Sequence, residues 1–549
     1  MVRRYRPLTA DETERLQRQG NWADDWTDVL VCDDTDLGVI RHNHFGPDVA
    51  IGHVAALADS HVEHCFIGDG SVVDCVHLLS GYDIGVGCRI DGVGRMTFGE
   101  AKLEVMNENG NRAIVAMPGM TVGDAYLWAR YRGRKELMRR FAQWAAGNRR
   151  GSVGDGSVIE NAIAVVDGVM GPACRIEHGV IAVHFLLGEH VHLEYGLRLN
   201  DAVVGDNSTL ARCEVGNSII FPAHEQHHNN SFLIAGLVMG QSNVAAGCTI
   251  GSNHNSRTAD NELAAGRGFW PGLCCSFKLS SRFASYCLLA KGDYPAELDI
   301  KLPFALVNNN VSKDRLEVMP AYWWMYNMYA LDRNSRKFAN RDKRTVKAQN
   351  IEFDPLAPDT AEEILYAMEL LRRWMANASD DVVHAEGMEK SKRPTVILKA
   401  EEGLKAYEDM LVYYAMKTLP ADFRPMSPDP GLKEWVNIGG QLVPRADMER
   451  LIADVERGAI DGWEDLHKRM DSLWEAYSAQ RMNHAYGVLC RLAGVELLDE
   501  DLWQQFRQRY ERILLYVEEQ KKASREKDNV NPFRRMTYWD DAEREAVIP

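Results

Sequence analysis

Val153-Gly154-Asp155-Gly156-Ser157-Val158 begins a motif that the chain refills as Met170-Gly171-Pro172, Leu187-Gly188-Glu189 and Val204-Gly205-Asp206, so Gly154, Gly171, Gly188 and Gly205 stand 17 residues apart. Five residues after each glycine comes an apolar residue: Ile159, Ile176, Leu193 and Leu210. A third register holds Ile163, Val180 and Leu197. An earlier array keeps the same beat, with Gly52, Gly68 and Gly85 each following an isoleucine and Leu57, Val73 and Ile90 five residues on. Each period carries three short apolar segments separated by Gly, Asp, Asn or Ser. None is long enough for a buried helix, and β-branched residues dominate the inward slots. One turn of such a chain cannot bury its own apolar edge. Successive turns must therefore stack, about 4.8 Å apart, into a parallel solenoid.

Working outward, residues 1–45 read as a polar lead-in with a short helix near Ala10 to Gln19. The coil occupies 46–310, with an insertion at 96–150. Within the insertion, Met96 to Met106 and Arg112 to Met117 read as two strands joined by a turn at Asn107 to Asn111. Leu127, Tyr131, Met138, Phe141 and Trp144 have helical spacing, and the helix they mark is rich in arginine. An extended corner is expected at His224 to Ser231. Residues 311–355 form an aromatic and basic connector, and 356–549 read as an all-α C-terminal domain, with Pro420, Pro425, Pro428 and Pro430 breaking its helical groups. The expected fold is thus mostly β: a left-handed parallel β-helix with a hairpin-plus-helix excursion, followed by helices.

The chain has 549 residues and a formal net charge of -16, which argues against a nucleic-acid coat. Eleven cysteines contain no CxxC pair, and Cys88, Cys174 and Cys213 fall within coil turns as small core residues. Such usage suits a reducing compartment. No apolar signal core follows the first residues and no run of 18 apolar residues occurs, so the expected setting is cytoplasmic, without a membrane span.

Chemistry-bearing residues crowd 221–294. His224-Glu225-Gln226-His227-His228-Asn229-Asn230 contains a literal HExxH, but that motif holds zinc only on a helix, and strand-like segments flank it here. A histidine general base suits the cluster better; a metal held by His224, His227 and His228 across a subunit interface is the alternative. Asn253, His254, Asn255 and Arg257 follow Ile250-Gly251, with donors and acceptors suited to a polyhydroxyl or phosphate ligand. Arg267 and Trp270 lie in a glycine-bracketed loop, and Lys278, Arg282 and Lys291 are spaced along later turns. Each of these also has a plain structural role open to it, such as a self-bonded polar corner or a solvated face.

The aliphatic-Gly six-residue units resemble those of the left-handed β-helix, hexapeptide-repeat superfamily typified by UDP-N-acetylglucosamine acyltransferase and related sugar acetyltransferases. The resemblance covers about 46–95 and 153–300. The whole layout also resembles a family of long chains that join such a coil to a C-terminal helical domain. The superfamily resemblance implies a homotrimer with clefts between coils, an acyl-CoA or nucleotide-sugar ligand held by basic and Asn residues, and a coil histidine as base. His224, His227, His228 and His254 are the candidates for that part. It equally implies a metal-dependent branch with interface histidines. The expected function is acyl transfer to a sugar, sugar phosphate or sugar nucleotide. The alternatives are a metal-dependent enzyme and a non-catalytic sugar-nucleotide-binding scaffold. The glycine-rich nucleotidyltransferase signature of bifunctional sugar-nucleotide enzymes is absent.

Overall fold

The computed structural model describes residues 5–547 except 101, 109, 256, 258–260, 379–381, 424–433 and 528. A parallel β-solenoid of about 16 turns is followed by a helical region. One face is a sheet of nine short strands in ladder order from Ile40–Arg41 through Val72–Asp74, Arg89–Asp91, Val158–Glu160 and His192–Glu194 to Glu225–Gln226. The other two faces share one sheet, because Ala164–Met170, Ile181–Leu187, Arg198–Val204 and Glu214–Ile220 run round a corner unbroken. They bend at Asp167, His184, Asp201 and Asn217, at φ of 52°, 49°, 50° and 42°. The predicted repeat is the physical register: Ile159 pairs with Ile176, Leu193 with Leu210, and all four are fully buried.

One residue departs from the expected inward set. Val180 and Leu197 are buried, yet Ile163 is 57% exposed and Ala162 takes the inward place. His178 with Gly179, and Tyr195 with Gly196, both adopt positive φ, whereas at the equivalent corner only Asn161 does. A second left-handed residue is readily supplied by glycine; without it the chain turns one residue earlier and Ile163 rolls outward.

Parallel stacking reaches back beyond residue 46. Trp22–Ala23 pairs with His44–Phe45, and Val29–Cys32 with Val49–Ile51. The strands there are too short for an alternation signal. Helix α1 (Ala10–Arg18), with a Thr9/Glu12 capping box, and the antiparallel strand Tyr5–Pro7 close this end. The far end is closed where Leu306–Asn310 turns back antiparallel on Arg315–Met319, to which Thr395–Ile397 adds.

The excursion leaves the coil after Arg95–Thr97 and returns at Gly151–Val153, which pairs directly with Tyr82–Ile84. Its hairpin is Lys102–Glu104 with Ala113–Val115, shorter than the spacing predicts because Met96 belongs to a coil strand. Asn109, in the predicted turn, lies outside the described residues. The predicted helix is two, α2 (Val122–Arg130) and α3 (Lys135–Ala145).

Beyond the coil follow α4 (Tyr322–Tyr326), α5 (Met328–Asn340), α6 (Pro358–Ala376), α7 (Ala400–Thr418), α8 (Arg445–Glu456), α9 (Trp463–Ala493), α10 (Glu500–Glu526), α11 (Pro532–Arg535) and α12 (Asp541–Val547). The region also carries a small hairpin, Trp435–Ile438 with Gln441–Pro444. Pro425, Pro428 and Pro430 lie outside the described residues. Two cores result. One fills the coil and continues into α6, α7 and α10. The other joins the excursion to α8 and α9, where Phe141 stacks on Trp463 at 4.9 Å, over coil side chains such as Leu186 and Val203.

Candidate functional site

Side chains alternate in and out along each coil strand, so the residue before an inward leucine faces outward. On the nine-stranded face those outward positions are His192, Thr209 and Glu225, in register across three turns. The preceding corner places His190, Asn207 and Ala223 at positive φ beside them. The end of α5 and the connector cover this patch, and Phe338, Arg341 and Lys343 complete a cleft of about 270 Å³.

Two buried carboxylates strap the cover down. Glu189 accepts backbone N–H bonds from Thr345, Val346 (3.0 Å) and Lys347 (2.7 Å). Arg344 donates to Asp206 at 2.8 Å and to Asp342 at 2.9 Å. These bonds fix Arg341 and Lys343 over the coil.

The cleft is rich in basic groups. The rings of His190 and His192 stack at 4.8 Å. Burial lowers His192 to about 4, and His190, Arg175 and Lys343 push in the same direction. Glu225 is the carboxylate among the lining residues. It faces His227 Nδ1 at 3.0 Å, Lys337 Nζ at 3.2 Å and Arg341 Nη1 at 3.4 Å. Burial alone would raise the Glu225 carboxyl; His227 and Lys337 outweigh it and hold it at about 2. The Glu225 carboxylate therefore fixes the His227 ring through Nδ1. This is how a general base is oriented.

The other sequence candidates scatter. His224 is fully buried inside the coil, with Nδ1 on Ser242 Oγ at 2.8 Å and Nε2 on Gln226 Oε1 at 3.2 Å. Burial lowers it to about 4. It cannot reach a substrate or share an ion with His227 and His228, which lie outside with rings 4.5 Å apart. Within one chain the three-histidine metal set is therefore not formed, and Glu225–Gln226 is a strand, so no HExxH helix exists. Among the described residues, three ligand-type atoms come within 4.8 Å at Asp59, Asp74 and Cys75 instead.

His254 lies 3.4 Å from Glu108 of the excursion, away from the cleft. Asn253 Oδ1 accepts from Leu279 N of the next turn at 2.6 Å, and Asn255 accepts from the Arg257 backbone at 3.0 Å, so the first braces successive turns and the second its own corner. Arg267 is buried and paired to Asp359 of α6, which makes it a joint between coil and helices and not an anion clamp. Trp270 lies against Trp323 at 5.6 Å. Asn229 lines a broad open groove with Tyr195 and Arg212 on the next corner. Lys278 is half-buried, and Arg282 and Lys291 are exposed; none of the three lines the His190–Glu225 cleft. The arginines of the excursion are largely spent on ion pairs, Arg134 with Glu456 at 2.7 Å and Arg150 with Asp83 at 2.9 Å among them.

Sequence reading missed His190, His192, Lys337, Arg341 and Lys343. The outward register of 192 and 209 was readable from the repeat, but that of 225 was not, because the spacing there falls to 16 residues. The approach of the connector was not readable either.

Among known proteins, the family model described as Domain of unknown function (DUF4954) matches residues 5–221, and the one described as Domain of unknown function (DUF6819) matches residues 417–525. The crystal structure of UDP-N-acetylglucosamine O-acyltransferase (LpxA) from Moraxella catarrhalis RH4 is 11% identical with a TM-score of 0.13, covering 65% of this chain and 91% of that one; at that score it bears no weight. No described helix is long and apolar enough to cross a membrane. An uncharacterized protein of Treponema pallidum (strain Nichols) is 39% identical over an alignment of 654 residues spanning 100% of this chain and 90% of the relative. At that identity and coverage, the chain belongs to one family with the Treponema pallidum protein.

Proposed function

We propose that the chain is a transferase that binds a sugar phosphate or sugar nucleotide in the cleft between the coil and α5 and carries out acyl transfer with His227 as base. The carrying observation is the His227–Glu225 pair at 3.0 Å, of which Glu225 lines a cleft with His190, His192, Arg341 and Lys343 while His227 lies outside the lining. Arg341 and Lys343 outnumber the Glu225 carboxylate in the lining, which favours an anion, and Arg341 has the forked geometry that suits phosphate. With Nδ1 turned to Glu225, Nε2 of His227 is left to take the proton of an acceptor hydroxyl. The hydroxyl oxygen then bonds to the acyl carbon of an acyl-CoA donor, the C–S bond breaks, and the proton passes from His227 to the departing thiolate sulfur.

A second reading, a divalent metal held between copies, draws on the adjacent exposed rings of His227 and His228.

The test is a thermal-shift and acetyl-transfer screen of phosphorylated sugars and nucleotide sugars with acetyl-CoA. The expected result is a ligand that raises Tm in the wild type, loses this effect in Lys343→Ala, and still binds His227→Ala while transfer falls at least about 100-fold. A ligand effect unchanged by Lys343→Ala and His192→Ala would remove the cleft from consideration. Stoichiometric metal lost in His227→Ala or His228→Ala would favour the second reading.

A further inference from the structure

The last described residues carry a series of large apolar side chains that no other described residue covers. Val530, Phe533, Met536 and Trp539 recur every third residue, and the last three are 79%, 78% and 93% exposed. A largely acidic run follows directly, with Asp540, Asp541, Glu543 and Glu545 around one cation, Arg544, which faces Asp541 at 3.7 Å. Large apolar side chains gathered in one exposed segment mark a contact surface.

The same chain has a groove of matching chemistry between α7 and α10. Its volume is about 710 Å³, and Trp324, Ile513 and Tyr516 form the apolar floor. The Trp324 indole N–H is buried without a hydrogen-bond partner. Of the charged groups on the rim, Arg509 pairs with Asp409 at 2.8 Å and Glu402 faces Lys399 at 4.0 Å. Lys405 and Arg512, also on the rim, have no ion pair among the described residues. An aromatic side chain followed by carboxylates fits such a site: the ring on the floor, the acids on Lys405 and Arg512.

We infer that this groove takes the Trp539-Asp540-Asp541 segment of a second copy of the chain. Trp539 lies outside its own chain's groove. The floor residue Ile513 sits about 20 Å up α10 from Glu526, at 1.5 Å per residue, so two copies with their α10 helices antiparallel bring each tail over the other's groove. The contact is self-complementary and closes on itself.

Sedimentation velocity of the full chain across a micromolar concentration series tests this. Trp539→Ala, whose exposed side chain leaves the fold and Tm unchanged, is expected to weaken self-association at least about tenfold, as is Lys405→Glu with Arg512→Glu. Combining that pair with Asp540→Lys and Asp541→Lys is expected to restore it. A wild type that is monomeric throughout, or self-association indifferent to Trp539→Ala, overturns the inference. So does Trp539-dependent co-sedimentation with anionic phospholipid vesicles at unchanged protein mass. None of these readouts depends on the cleft.

Discussion

Arg267 and Asp359 are joined by two parallel hydrogen bonds, Nε to Oδ2 at 2.9 Å and Nη2 to Oδ1 at 2.8 Å, across the joint between the coil and α6. The guanidinium is almost wholly buried and also donates to the carbonyls of Asp354 at 3.1 Å and Glu352 at 3.4 Å. Glu352 and Asp354 in turn hold Arg481 of α9 at 2.9 and 2.8 Å. The helical region is thus bolted to the coil through one arginine on each side.

Removing one member of a buried pair strands the other charge, at about 3–5 kcal/mol. Arg267→Ala is therefore expected to destabilise the joint by that order, and Arg267→Lys by less, since a lysine keeps the charge but not the fork. Urea titration followed by far-ultraviolet circular dichroism should show the helical region melting earlier than the β-helix in Arg267→Ala. A single transition at the wild-type midpoint would refute it.

A buried imidazole, His484, and a half-buried carboxyl, Glu362, which face one another at 4.0 Å, give stability opposite pH slopes. Burial pushes the Glu362 carboxyl up to about 8, so the folded state holds a proton that the unfolded chain releases above about 4.5. Its contribution is complete below about pH 4.5 and fades as pH rises towards 8. His484 is lowered to about 3 by burial; its contribution is complete above about 6.5 and fades as pH falls towards 3. Glu362→Gln, which can still accept from Trp435 N, is expected to flatten the decline in Tm between about pH 4.5 and 8 while leaving the acid limb. An unaltered alkaline slope would rule Glu362 out as its source.

How much of this could be read from sequence depends on the range of the contact. The period, the inward slots at Ile159, Ile176, Leu193 and Leu210, and the helical tail are local patterns, and they are legible. The cleft is not, because Lys343 meets His192 only after some 150 residues of chain have closed on themselves. The inward place of His224 is illegible for a subtler reason. Counting in 17s aligns it with Asn207, an outward corner. The corner at Arg212-Cys213 has one residue fewer than Tyr195-Gly196-Leu197, so Leu210 pairs with Gln226, 16 residues on. That slip puts His224 in the inward column of Cys174, Val191 and Ser208.

Steric room inside the coil makes a further prediction. A Cβ on Gly168 would meet the Phe185 ring at 2.0 to 2.5 Å, and the Gly168 N–H donates to the Tyr82 hydroxyl at 3.0 Å. Both rings are fully buried. Gly168→Ala is expected to cost about 1–3 kcal/mol by overpacking. At Gly133 a Cβ meets nothing within 4 Å and no positive φ is required, so Gly133→Ala should be neutral or slightly stabilising. Equal midpoints for the two variants in guanidinium chloride would contradict this reading of the packing.

His224 and His227 stand three residues apart yet should respond oppositely to alanine. His224→Ala empties an interior slot and strands Ser242 and Gln226, at about 2–4 kcal/mol, with any catalytic rate per folded molecule little changed. The structural role also predicts partial rescue by His224→Gln, which retains a donor and an acceptor. His227→Ala removes a half-exposed ring and should leave Tm within about 1 °C, since surface substitutions stay within about 0.5 kcal/mol. Its effect should fall on turnover, or on whatever ligand response the cleft gives. Measuring Tm and activity on both variants separates the inner histidine from the outer one. A large Tm loss in His227→Ala with none in His224→Ala would reverse the assignment, and with it the choice of base.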